Sequence, residues 1–243
     1  YVYLGNADAE YSVENRLVFD NDLSNVSLVA DLDLDGYPDL VFDKALEYND
    51  PEGGIRIYTS TPEGPDPNKF TDIHTGFTHF NMEITDFNRD GYLDIFVTSA
   101  VTKLTDDPTQ SSMIYYGSAS GYSKERIDRL KNFGYSSIIG DVNNDGYIDV
   151  LLHDKREYIV IHLGASNGFS DSRTLNVPCH GIGDSVSLNL ADLNGDGWLD
   201  MIAGILGHRQ RHKDTVRIFY GGPEGYNNEN IQEYFGDVTM SIQ

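Results

Sequence analysis

The sequence predicts an all-β fold, a β-propeller of four-stranded blades, and three observations predict it. An aspartate-rich loop recurs four times. A second motif, three apolar residues followed by glycine, keeps step with it. No window sustains the 3.6-residue apolar period of a helix, whereas short alternating or wholly apolar runs recur throughout. The loops are ADLDLDGYPD (Ala30–Asp39), TDFNRDGYLD (Thr85–Asp94), GDVNNDGYID (Gly140–Asp149) and ADLNGDGWLD (Ala191–Asp200). Their first aspartates, Asp31, Asp86, Asp141 and Asp192, lie 55, 55 and 51 residues apart. That spacing fits a blade of four strands.

The last repeat holds four strand-like segments. SVSLNLAD (Ser185–Asp192) alternates and makes a first strand that leads into the aspartate loop. LDMIAGI (Leu199–Ile205) is a wholly apolar second strand, TVRIFYG (Thr215–Gly221) a third and IQEYF (Ile231–Phe235) a fourth beyond a Gly/Pro turn. The second motif stands at the end of each third strand, as IYYGSASGYS (Ile114–Ser123), IHLGASNGFS (Ile161–Ser170) and IFYGGPEGYN (Ile218–Asn227), with a weaker copy in IYTSTPEG (Ile57–Gly64). VYLGNADAEYS (Val2–Ser12) is a fifth copy, so residues 1–19 read as strands three and four of a partial blade. Asp237–Gln243 reads as another first strand. The expected organisation of residues 1–243 is therefore one propeller, or an excerpt of a larger one, with four full repeats and partial blades at both ends.

Composition narrows the partners. The 243 residues carry 39 acidic and 17 basic side chains, a formal net charge of −22. Such a surface repels phosphate backbones and anionic lipid, so neither nucleic acid nor membrane insertion is expected. No apolar run is long enough to span a bilayer. The one cysteine, Cys179, excludes an intrachain disulfide, so any cross-linking falls to another device.

The aspartate loops supply that device. A hard cation such as Ca²⁺ takes six to eight oxygens, and alternate residues of a tight loop can direct them inward. Positions 1, 3, 5 and 9 are Asp31, Asp33, Asp35 and Asp39; Asp86, Asn88, Asp90 and Asp94; Asp141, Asn143, Asp145 and Asp149; and Asp192, Asn194, Asp196 and Asp200. Position 7 offers the backbone carbonyls of Tyr37, Tyr92, Tyr147 and Trp198. Glycine at position 6 permits the sharp turn. Positions 2 and 8 are apolar and are expected to anchor each loop on the core. An EF-hand is excluded: its twelfth position needs a bidentate Glu, and here stand Phe42, Val97, Leu152 and Ala203. Thirteen of these sixteen side chains are Asp and would repel one another without a cation. About four structural Ca²⁺ are therefore expected. Loop sites of this kind fill where calcium nears millimolar, which places the chain outside the cell, at its surface or in the periplasm.

These loops and the glycines Gly117, Gly164 and Gly221 resemble the FG-GAP/VCBS repeat family, integrin-α-like calcium-binding propellers. Ser60 departs from the motif, replacing its glycine in the first full repeat. The resemblance implies cell adhesion, carbohydrate binding, or a propeller carried by a polysaccharide-degrading enzyme.

Function is expected on the face opposite the calcium loops, in the segments Ala45–Gly54, Ala100–Ser111, His153–Glu157 and Gly207–Asp214. The last holds His208, Arg209, Arg211, His212 and Lys213, a basic cluster in an acidic chain suited to an anionic sugar or an acidic side chain. Cys179 and His180 are neighbours in sequence and poorly placed as a nucleophile and base. No catalytic signature of the G-x-S-x-G, H-E-x-x-H or P-loop type is present. The leading expectation is a non-catalytic module that binds a glycan or an extracellular protein, with other chains or domains completing the propeller. The alternatives are the propeller of a polysaccharide lyase or glycoside hydrolase, and a purely structural repeat array.

Overall fold

The computed structural model describes residues 1–5, 8, 10–20, 24–44, 53–75, 79, 81–99, 111–131, 134, 136–154, 158–179, 186–205 and 214–236. It is all-β. The strands, in order, are β1 (Val2–Tyr3), β2 (Arg16–Leu17), β3 (Ser27–Ala30), β4 (Asp39–Lys44), β5 (Gly54–Tyr58), β6 (Phe70–His74), β7 (Met82–Thr85), β8 (Asp94–Val97) and β9 (Ser112–Tyr115). There follow β10 (Ile127–Leu130), β11 (Ser137–Gly140), β12 (Asp149–Asp154), β13 (Tyr158–His162), β14 (Thr174–Pro178), β15 (Val186–Ala191), β16 (Asp200–Ile205), β17 (Asp214–Phe219) and β18 (Ile231–Gly236). Among the described residues the single helical element is a 3₁₀ turn, Asp171–Arg173, and no helix is long and apolar enough to cross a membrane.

Each full repeat is a four-stranded antiparallel meander: β3 to β6, β7 to β10, β11 to β14, and β15 to β18. The last follows the expected strands closely, with Ala191 opposite Asp200 where β15 turns through the aspartate loop into β16. β1 and β2 form a separate two-stranded antiparallel sheet. The expected first strand at Asp237–Gln243 lies outside the described residues.

Two compact units divide the chain, residues 1–79 and residues 80–243. In the first, Phe19, Tyr58, Phe42 and Phe70 pack as tilted and edge-on rings around a centre at Tyr58, which is fully buried. Arg56 grips Asp72 through two nitrogens, at 2.7 and 2.8 Å, and lies 3.8 Å over the Phe70 ring. This bidentate pair holds the Asp72 carboxyl below the usual range.

In the second unit the three sheets stack face to face. β11 lies beside β7 on one side and beside β15 on the other, so the first strands of successive sheets are neighbours. The strand period of two then decides the core. Val150 and Leu152 of β12 join Phe87, Phe96, Ile114 and Leu130. Leu151 points to the other face and joins Ile159, Ile161, Leu188, Met201, Ala203 and Phe219. A middle strand covered on both faces has no polar side to present, which explains the unbroken apolar runs in the sequence.

Candidate metal centre

All four aspartate loops join the first strand of a sheet to its second, and they share one geometry. The position-1 carboxylate closes the loop upon itself: Asp31 accepts the N–H of Asp35 at 3.1 Å and of Gly36 at 2.9 Å. Asp86, Asp141 and Asp192 do the same for positions 5 and 6 of their own loops. Position 5 accepts the N–H of position 7, at 2.8 Å for Asp35 and Tyr37 and 2.9 Å for Asp196 and Trp198. The loops thus rest on short local bonds from carboxylate to backbone, the turn chemistry at which Asp and Asn excel.

Two positions adopt the left-handed conformation. Position 6 is glycine throughout, with φ between 87° and 91°. Position 4 does so too: Leu34 at 62°, Arg89 at 62°, Asn144 at 56° and Gly195 at 75°. The sequence reading located the first and missed the second. Only the fourth loop spends a glycine there, and Leu34 and Arg89 take the conformation without the tolerance that Asn or Gly has for it.

Position 9 has a part that the sequence reading did not assign. Asp39, Asp94, Asp149 and Asp200 are buried, each with both carboxylate oxygens occupied by backbone. Oδ2 accepts the position-2 N–H, from Leu32, Phe87, Val142 and Leu193, at 2.8 to 3.0 Å. Oδ1 accepts the N–H of Ser60, Gly117, Gly164 and Gly221, at 2.8 to 2.9 Å. The carboxylate therefore fastens the loop's start to the end of the third strand, and it explains why the two sequence motifs keep step. The glycine is required by a close approach. A Cβ on Gly117, Gly164 or Gly221 would fall 2.3 to 2.4 Å from the position-8 carbonyl oxygen. Ser60 preserves the N–H bond but leaves its hydroxyl buried with no partner among the described residues.

Burial raises the Asp94 and Asp149 carboxyls to about 6 against the lowering effect of their two N–H bonds, and the loop's other aspartates add to the rise. Asp39 is raised for the same reasons. Among the described residues no lysine or arginine forms a salt bridge with a loop carboxylate.

The donor set fits a hard divalent cation. In the first loop, oxygens of Asp31, Asp33 and Asp39 lie within 4.8 Å of one another. In the other three, Asn88, Asn143 and Asn194 each accept the N–H of the position-5 aspartate through Oδ1 and donate to its Oδ2. Every side-chain donor to a cation would be oxygen, the set that calcium prefers. Carboxylate oxygens that already accept one N–H retain a second lone pair for an ion.

Anchoring by position 2 is uneven. Leu32, Phe87 and Val142 are buried, whereas Leu193 is 49% exposed. Phe87 packs edge-on against Phe169 in the turn of the following sheet, 5.6 Å between centroids. Neighbouring loops also touch. Arg89 lies 4.7 Å over the Tyr147 ring, and Asn144 donates to the Gly197 carbonyl at 3.1 Å.

The predicted ligand loop, His208, Arg209, Arg211, His212 and Lys213, lies outside the described residues, as do His180 and most of the other three segments expected on that face. Cys179 is fully buried, and desolvation pushes its thiol up to about 11, the opposite of nucleophile activation.

The family model described as FG-GAP-like repeat matches residues 31–97 and 141–203, more than half of the chain, and each matched stretch contains aspartate loops of the geometry above. Integrin alpha-8 of Mus musculus is 34% identical over 126 residues, which is 44% of this chain and 12% of that protein. The chain thus spans about an eighth of that relative's length. Repeat, strand order and loop position agree with the family match, and the chain belongs to the FG-GAP-like repeat family.

Proposed function

We propose that the four sheets are blades of a calcium-stabilised β-propeller, acting outside the cell as a non-catalytic adhesion module that binds a glycan or a protein. One observation carries the reading. Four times over, an aspartate-rich loop is fastened by a buried position-9 aspartate to the end of the third strand of its own sheet, and in the first the oxygens of Asp31, Asp33 and Asp39 gather within 4.8 Å of one another. A cation in such a loop stiffens a whole sheet at once. Calcium would be held by positions 1, 3, 5 and 9 and the position-7 carbonyl; Asp31, Asp33, Asp35, Tyr37 and Asp39 make the first such set. When bound it supplies charge neutralisation and cross-linking, and no chemistry on a ligand.

The propeller arrangement is supported by the second unit, where the first strands of three successive sheets lie side by side. Adhesion is supported by the likeness to integrin alpha-8, which concerns part of that protein only. A pull-down from glycan arrays and extracellular protein libraries, with the calcium-loaded chain, tests the binding role. Calcium-dependent capture of a defined ligand supports it. Capture of neither class counts against it.

A further inference from the structure

The two junctions between sheets in the second unit are built differently, and the difference leaves a groove. β9 and β13 are equivalent, ending Ile114–Tyr115–Tyr116–Gly117 and Ile161–His162–Leu163–Gly164. Asp128 stands opposite Ile114 in the fourth strand of its sheet, and Leu175 stands opposite Ile161 in the next. At the junction of β7–β10 with β11–β14, Asp128 Oδ2 accepts the Tyr116 hydroxyl at 2.8 Å and the Phe169 N–H at 2.9 Å. That clasp fills the space: a Cβ on Gly168 would meet Asp128 Oδ2 at 2.6 Å.

At the junction of β11–β14 with β15–β18 the clasp is missing. Leu163 replaces Tyr116 and Leu175 replaces Asp128. The Tyr226 N–H, equivalent to that of Phe169, has no acceptor among the described residues. A Cβ on Gly225, the equivalent of Gly168, would meet nothing within 4 Å. The result is a groove of about 390 Å³ lined by Leu163, Leu175, Asn176, Trp198, Glu224 and Tyr226 among others. Its volume falls within the range of small-ligand sites, about 300–1,000 Å³.

Its lining selects a ligand class. An apolar ligand would bury the Tyr226 N–H without an acceptor, which is unfavourable. A carboxylate or phosphate would satisfy that N–H but would sit beside Glu224 in a chain of net charge −22. A neutral polyol satisfies both, since each hydroxyl can accept from Tyr226 N–H and donate to Glu224 or Asn176. Its C–H face matches Trp198 and Leu175, the latter 47% exposed. We infer that this groove binds a neutral saccharide unit, its hydroxyls replacing the carboxylate that Asp128 supplies one junction earlier. The inference rests on the reading of the chain as a binding module and names a ligand class and a place for it.

Trp198 is the single tryptophan of the chain, so the groove carries its own reporter. The experiment titrates the calcium-loaded full chain with oligosaccharides of glucose, galactose, mannose and N-acetylglucosamine, following tryptophan emission. A saturable change with at least one of them is expected. Leu175→Asp supplies the carboxylate half of the missing clasp, the acceptor for the Tyr226 N–H, and should weaken binding at least about tenfold, or 1.4 kcal/mol. Glu224→Gln, a milder change at an exposed position, should weaken it by a smaller factor. Far-UV circular dichroism and unfolding midpoints confirm that both variants fold. Saccharide binding untouched by both variants overturns the groove while leaving the binding module standing. No response to any neutral saccharide, or a response to an aspartate-containing peptide instead, overturns the ligand class.

Discussion

Asp149 Oδ1 accepts the Gly164 N–H at 2.8 Å, across 15 residues of chain, while its Oδ2 holds the Val142 N–H at 2.9 Å. One buried carboxylate therefore joins the aspartate loop to the end of the third strand of its sheet. Asp149→Asn turns one oxygen into a donor, so one of the two buried N–H groups faces another N–H. Denaturant unfolding should show a loss of about 2–4 kcal/mol relative to the parent chain, from the unmade bond and the misplaced donor. A loss within about 0.5 kcal/mol would deny the linkage its importance.

The motif glycine offers a paired test of steric fit. Gly164→Ala places a Cβ 2.4 Å from the Ile148 carbonyl oxygen, so the backbone must shift, and a loss of about 1–3 kcal/mol is expected. Ser60→Ala goes the other way. It keeps the Cβ already accommodated there and removes a buried hydroxyl with no partner among the described residues, so a gain of about 1 kcal/mol is expected. Urea midpoints of the two variants should move in opposite directions.

Leu34 holds a left-handed φ of 62° at loop position 4, where the fourth loop uses Gly195. Leu34→Gly relieves about 1–2 kcal/mol of backbone strain and returns part of it as unfolded-state entropy. A net gain of about 0.5–1 kcal/mol is expected in thermal unfolding at fixed calcium. A loss would mean that the leucine side chain makes contacts worth more than the strain.

Glu83 of β7 has its carboxyl pushed up by burial to about 7, opposed weakly by the Asn81 amide at 3.3 Å. The sign follows from linkage: the folded state holds this proton more tightly than the unfolded chain does. Its contribution is fully present below about 4.5 and is lost as pH rises through about 7. Within that window the parent should lose up to about 1.4 kcal/mol per pH unit relative to Glu83→Gln, at constant calcium. Parallel stability curves for the two proteins would contradict the assignment.

Much of this was readable in the sequence, because repetition multiplies weak signals. The loop residues recur every 51 to 55 residues and the second motif returns once in each repeat, so Asp200 and Ala191 could be placed at one strand corner from the sequence. Local rules also found the position-6 glycine, which only a Cβ-free residue fills without cost. The missed features are contacts that close in space. Nothing local to Asp149 points to Gly164, although their constant partnership across repeats was a signal that could have been used. Position 4 escaped because Leu, Arg and Asn share no chemistry there; the position-1 carboxylate, by accepting the N–H groups of positions 5 and 6, closes the turn around it. Leu193 was expected to be buried, but the ring that Phe87 packs against, Phe169, belongs to the next sheet, a contact that loop sequence alone does not show. The equivalence of Asp128 and Leu175 follows only from their register, opposite Ile114 and Ile161.

The central claim is that the four loops hold calcium and that calcium stabilises the sheets through the position-9 carboxylates. Thermal unfolding in excess calcium, compared with unfolding after EDTA treatment, tests it most directly. One loop at a hundredfold excess over its Kd contributes about 2.7 kcal/mol. In a chain of this size each kcal/mol moves the midpoint by about 2–4 °C. Several occupied loops should therefore raise the midpoint by more than about 10 °C, and magnesium at equal concentration should restore much less. A midpoint unchanged by chelation would contradict the account.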